Sequence, residues 1–111
     1  MKKIAIPTQS KILCAHFGHC DAFMIFETED KKIISEDIVI PPNHEPGVFP
    51  AWLAQLGVTD VICGGMGQRA ITLFNENKIN VFVGAEMKAP KDLVIDFVNG
   101  NLSVSGNFCD H

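Results

Sequence analysis

The sequence predicts an α/β domain in three layers, a mixed five-stranded sheet with helices on either side, and three observations lead there. Two apolar runs in the first half flank a polar turn, as in a hairpin. In the second half apolar runs alternate with helical stripes, which calls for parallel strands joined by right-handed crossovers. The 111 residues, 47% hydrophobic and 20% charged, suit one core and one domain, residues 1–111.

Residues 3–7 read as a short buried strand stopped by Pro7, and 8–21 as a polar, histidine-bearing loop. Residues 22–27 carry Phe23, Met24, Ile25 and Phe26, a continuous apolar run expected of a strand covered on both faces. Glu29-Asp30-Lys31-Lys32 reverses the chain into a partner strand, 33–40, and residues 41–47, with three prolines, break regular structure. A helix over 49–56 follows, with Pro50 near its first turn and Gly57 at the left-handed cap position. Residues 58–63 form the next strand and 68–77 a helix with Ala70, Leu73 and Phe74 toward the sheet and Arg69, Asn75, Glu76 and Lys78 more solvated. Then come a strand over 80–83 and a helix opened by Pro90 that buries Leu93, Val94, Phe97 and Val98 and ends at Asn99-Gly100. Residues 102–105 are placed as a last edge strand.

A formal charge of −4, with nine basic residues scattered along the chain, argues against nucleic-acid binding, which needs clustered Lys and Arg. No apolar run approaches the roughly 20 residues that span a bilayer, and the apolar part of the opening segment is far shorter than a signal-peptide core. A cytoplasmic protein without membrane partners is expected. In a reducing compartment its four cysteines read as thiols free for ligation or redox work.

The chemistry concentrates in three short segments. Cys63-Gly64-Gly65-Met66-Gly67 ends an apolar strand and leads into a helix, leaving backbone N–H groups free to face an anion. Cys14-Ala15-His16-Phe17-Gly18-His19-Cys20 and Cys109-Asp110-His111 hold three of the four cysteines and three of the four histidines, a donor set suited to soft metal or metal–sulfur chemistry. If the strands at 3–7 and 58–63 are adjacent and parallel, the loop at 8–21 and the turn at 64–67 rise from one edge, where open α/β sheets bind ligands. His16, His19, Cys20, Cys109 and His111 are the candidate metal ligands, with Cys63 and His44 ranked behind them. Phe17, Gly18, Gly64, Gly65, Met66, Gly67 and Arg69 are the candidate cofactor-binding residues. Cys14 reads as a small buried apolar residue, and Cys63 first of all as packing. The tail is expected to order when metal binds. For the glycines the plain alternative is a tight connection that needs positive φ or close packing. The turn lacks the Gly-Lys-Ser/Thr of a nucleotide-hydrolysing loop.

Ile4-Ala5-Ile6-Pro7-Thr8, His16-Phe17-Gly18-His19-Cys20 with Phe23, Val61-Ile62-Cys63-Gly64-Gly65-Met66-Gly67 with Arg69-Ala70, and the terminal Cys and His together resemble the dinitrogenase iron-molybdenum cofactor biosynthesis family. The resemblance spans essentially the whole chain in order. It implies a ribonuclease H-like fold whose second strand runs antiparallel, and a binding or carrier role for iron–sulfur or molybdenum-containing clusters passed between donor and acceptor proteins, without a common catalytic reaction. His16, Phe17 and Gly18 fall on the family's loop motif, Gly64, Gly65, Gly67 and Ala70 on its glycine turn and helix, and Cys109 and His111 on a tail pattern found in part of the family. Gln68 stands where relatives often have Pro.

Two other classes of function are set beside the carrier reading. A thiol-dependent redox enzyme would want a Cys-x-x-Cys pair, and a metal-assisted nuclease a set of acidic residues at strand ends; neither is evident. A small zinc-binding regulatory domain would have to close its site across the gap from residue 20 to residue 109. The oligomeric state is left open by the sequence.

Overall fold

The computed structural model describes residues 2–9, 12–13, 21–41 and 48–108. Strand β1 (Lys2–Gln9) is followed by the two-residue β2 (Ile12–Leu13) and by the hairpin strands β3 (Ala22–Glu29) and β4 (Lys32–Val39). Helix α1 (Val48–Gln55), β5 (Asp60–Ile62), α2 (Gln68–Glu76), β6 (Asn80–Val83), α3 (Pro90–Val98) and β7 (Gly106–Phe108) complete the order. The sheet runs β4-β3-β1-β5-β6-β7, with β2 paired to β1 off this path. The expected mixed sheet is therefore present as β4-β3-β1-β5-β6 and is extended by two short strands. β1, β5 and β6 are parallel, while β3, β4 and β7 run antiparallel to their neighbours.

Period-two alternation along the central strands builds a core on each face. Ala5, Phe23, Ile25, Val61 and Val81 face α1 and α2, where Phe49, Leu53, Ile71 and Phe74 cover them. Ile4, Ile6, Phe26, Ile62 and Phe82 face Leu93 and Val94 of α3 on the other side. This is the three-layer arrangement. On the first face Phe23 meets Phe49 and Trp52 edge-on, with ring centroids 5.5 and 5.7 Å away. Asp60 is buried at the start of β5, its carboxylate accepting from the Thr59 hydroxyl (2.6 Å) and the Asn80 amide (3.1 Å). Among the described residues no helix is long and apolar enough to cross a membrane.

Several boundaries differ from the sequence expectation for identifiable reasons. β1 continues past Pro7 to Gln9, because the Pro7 position faces Phe23 and its neighbours complete the pairing. Part of the expected loop is β2, which folds back so that Thr8 faces Leu13. The final edge strand lies at β7 rather than at 102–105; Leu102 and Val104 instead pack against the α3-side core. On α2 the fully buried residues are Ile71 and Phe74, with Ala70 beside them, so the stripe is rotated from the expected Ala70, Leu73 and Phe74. The hairpin closes in two residues, Asp30 (φ 51°) and Lys31 (φ 65°), and Ile34 is the extra residue of a bulge in β4.

Candidate functional site

The parallel strands β1, β5 and β6 end at one edge, and their connections part there. After β5 the chain turns through Gly64-Gly65-Met66-Gly67 into α2 on one face, and after β6 it passes through residues 84–89 into α3 on the other. Neighbouring strands whose connections leave toward opposite faces open a crevice between them. The two connections are joined at its base: the Gly84 N–H donates to the Gly64 carbonyl (2.8 Å) and the Ala85 N–H to the Cys63 carbonyl (3.2 Å).

The glycine turn is half-buried from Gly64 to Met66 and exposed at Gly67. Gly67 is the residue before α2, with φ −70° and ψ 154°, and neither a side-chain cap nor an acidic residue occupies the first turn. Its carbonyl accepts from the Ile71 N–H (3.1 Å), so the amides that open the helix keep no intrahelical acceptor. None of Gly64, Gly65 and Gly67 has positive φ, and a Cβ on Gly67 would meet nothing within 4 Å among the described residues. Backbone conformation therefore does not demand glycine here; at Gly67 neither does packing, and the hydrogen side chain leaves the space above the amides open. Arg69 is exposed one residue into α2 and takes part in none of the ion pairs among the described residues.

Of the other candidates, Met66 is half-buried against the core beneath α1 and α2, and Cys63 is fully buried within it, its N–H bonded to the Phe82 carbonyl (2.9 Å). Cys63 thus packs in the core, beside the turn but below it. His16, Phe17, Gly18, His19, Cys20, His44, Cys109 and His111, and Cys14 with them, lie outside the described residues. The flanks of the early histidine segment are described. Leu13 and Ala22 both sit opposite Thr8 near the end of β1, and the Asp21 N–H donates to the Thr8 carbonyl (2.9 Å). Both flanks belong to the edge that carries the glycine turn. β7 starts beside Val83 at that edge and runs back to Phe108 beside Val81, toward the other edge. Among the described residues no group of three or more His, Cys, Asp and Glu side chains is placed to hold a metal ion.

The sequence reading passed over residues 84–89. Gly84 has φ +78° and touches Ser105 so closely that any side chain would collide with it. Beyond it the Lys88 N–H returns to the Glu86 carbonyl (2.8 Å), making a tight turn with Met87 at its apex. The Lys88 ammonium is held by Asp96 of α3 (2.9 Å) and by Glu86 (3.5 Å). The hydrogen bond to Asp96, then the charges of Asp96 and Glu86, raise the Lys88 pKa above the ordinary lysine value. A glycine directly after an apolar strand was the available signal.

Residues 1–100 match the family described as dinitrogenase iron-molybdenum cofactor. The chain belongs to that family. An uncharacterized protein of Methanocaldococcus jannaschii, MJ0580, is a relative, 33% identical over 87 residues, 74% of either chain. The crystal structure of PH0822 superposes with a TM-score of 0.86 at 27% identity, over 93% of this chain and 94% of that one. The apo form of the orange protein from Desulfovibrio gigas shares the fold, with a TM-score of 0.79 at 19% identity over 96% of both chains. The family takes its name from a cofactor rather than a reaction, which makes this a cofactor-associated protein.

Proposed function

We propose that this protein binds and carries an anionic iron–sulfur or molybdenum-containing cluster, seating it on the backbone amides from Gly65 to Ala70 without turning it over. The observation that carries this reading is the open glycine turn. A row of amides is left without a cap by residues that neither φ nor, at Gly67, packing requires to be glycine. Such amides, together with the positive end of the α2 dipole and the Arg69 guanidinium, suit a cluster with residual negative charge.

In this proposal His16, His19 and Cys20 supply donors, and Phe17 and Gly18 line the seat. The seven residues between Leu13 and Asp21 are tied at both ends beside Thr8, and a span of that length reaches no more than about 14 Å from its anchors. Those anchors stand at the sheet edge that carries the glycine turn, which supports imidazole and thiolate donors from this span. Cys109 and His111 rank second, because β7 points away from the seat before reaching them. The strand order β4-β3-β1-β5-β6 with β3 antiparallel supports a ribonuclease H-like assignment. A cytoplasmic setting and proteins that load and unload the cluster complete the proposal.

Anaerobic reconstitution with iron and sulfide, or with molybdate added, tests it. Uptake of metal with charge-transfer absorbance, diminished in His16→Ala and His19→Ala and less affected in Cys109→Ser, is the expected result. A wild-type protein that stays colourless and metal-free would overturn the reading.

A further inference from the structure

Strand β4 ends the sheet on one side, and it accounts for three of the five large apolar side chains left exposed among the described residues: Ile34 and Ile38 in the strand and Ile40 just beyond it. From Ser35 to Val39 it pairs with β3 in unbroken register, so the main-chain groups it turns away from β3 form a regular row there. Two carboxylates stand in the same stretch. Glu36 opposes Phe26 of the α3-side core and Asp37 opposes Ile25 of the core beneath α1 and α2, which puts the carboxylates on opposite faces of the sheet. Both are exposed, and neither takes part in an ion pair among the described residues. Charge alone would blunt such an edge. The isoleucines beside it do the opposite, since each exposes apolar surface that only a neighbour removes from water.

We infer that β4 is a docking edge for an extended basic segment of another protein, which adds a strand alongside residues 35–40. Consecutive residues of a strand point to opposite faces, so a carboxylate on each face calls for two consecutive Lys or Arg residues in the partner. Ile38 lies opposite Met24 on the α3 face, as Glu36 lies opposite Phe26, and alternation puts Ile40 there as well. Counted from the basic residue opposite Glu36, the partner then presents apolar side chains two and four positions further on, past its second basic residue. A second copy of this chain does not fit. Paired antiparallel about the step from Glu36 to Asp37 it brings carboxylates against carboxylates, and slid to set Ile38 on Ile38 it sets Glu36 against Ile40. β3 and β1 separate β4 from β5, about 14 Å at the usual strand spacing, so a partner held here leaves the glycine turn uncovered. Docking at β4 therefore does not depend on what that turn holds.

The probes are two amidated peptides with an N-terminal fluorophore, Thr-Val-Lys-Lys-Val-Thr-Val-Thr and the same chain with glutamate in place of both lysines. Fluorescence anisotropy at low ionic strength measures their binding to the full-length protein, and hydrogen exchange locates it. The lysine peptide is expected to bind saturably and at least about tenfold more tightly than the glutamate peptide, to lose affinity as salt is added, and to slow exchange of amides within residues 35–40. Glu36→Lys combined with Asp37→Lys should reverse the preference. Ile38→Thr, which keeps a branched, strand-forming side chain, should weaken binding of the lysine peptide several-fold. Unfolding followed through Trp52, the single tryptophan of the chain, should show every variant folded. Equal affinity for the two peptides, no saturable binding of the lysine peptide, or protection confined to other segments would overturn the assignment. So would a wild-type chain that dimerises with residues 35–40 protected, because the occupant would then be a second copy. None of these results bears on metal uptake.

Discussion

Lys78 shows how a single backbone angle constrains residue choice. Helices α1, α2 and α3 end in the same hydrogen-bonding pattern, in which two successive amides return to carbonyls of the last turn. Gly57 and Val58 return to Ala54 and Leu53, Lys78 and Ile79 to Asn75 and Phe74, and Gly100 and Asn101 to Phe97 and Asp96. The pivot has positive φ each time: 85° at Gly57, 62° at Lys78 and 75° at Gly100. A residue with a Cβ pays roughly 1–2 kcal/mol for that conformation, part of which glycine returns as extra freedom in the unfolded chain. Lys78→Gly is accordingly expected to stabilise the protein by about 0.5–1 kcal/mol, read as a higher denaturation midpoint by Trp52 fluorescence. The same comparison explains what the sequence disclosed. Gly57 and Asn99-Gly100 announced the ends of α1 and α3, whereas the end of α2 carries no such letter. It is held by the burial of Phe74 and Ile79 on either side of the pivot, a tertiary contact.

Among the elements, β6 and its continuation hold the candidate site together. Continuous apolar runs made β1, β3, β5 and β6 legible, because both faces of these strands are covered. β7 was placed too early, since Leu102 and Val104 have the apolar spacing of a strand yet serve the core below α3. The early histidine segment stood out because its residue types are rare in this chain, and it lies outside the described residues; the edge its flanks share with the glycine turn depended on β1 and β5 being parallel neighbours, which they are. The 84–89 segment was not legible, as its constraint is the contact between Gly84 and Ser105, 21 positions apart in sequence. A Cβ at Gly84 would lie 1.9 Å from the Ser105 hydroxyl and 2.7 Å from its Cβ, in a backbone conformation that already disfavours side chains. Gly84→Ala should therefore cost about 2 kcal/mol or more, and Ser105→Gly in the same chain should recover part of the loss. Chemical denaturation of wild type and the two variants checks both statements.

At the scale of the whole molecule, two apolar layers fix a seven-stranded sheet whose carboxyl edge is free to carry polar chemistry. Stability and cargo binding can then be set against each other at one position. An aspartate at Gly67 would accept from the first amides of α2 and face the positive end of its dipole, so Gly67→Asp is expected to stabilise the fold by about 0.5 kcal/mol. The same carboxylate would fill the space proposed for an anion. Metal uptake should fall several-fold while the unfolding midpoint rises, an opposition that a merely structural glycine turn would not produce. Metal content and denaturation of the purified variant measure the two effects.

The irregularity in β4 has a consequence for life at high concentration. Ile34 and Ile38 are about half exposed on the outermost strand and Ile40, just beyond its end, is three-quarters exposed, a surface that could template growth of sheet upon sheet. The extra residue at Ile34 bends that border and spoils its register, and Glu36 and Asp37 repel an identical neighbour brought alongside. The border is guarded against fibre formation by its own imperfection, so straightening it in the name of regularity would make it stickier.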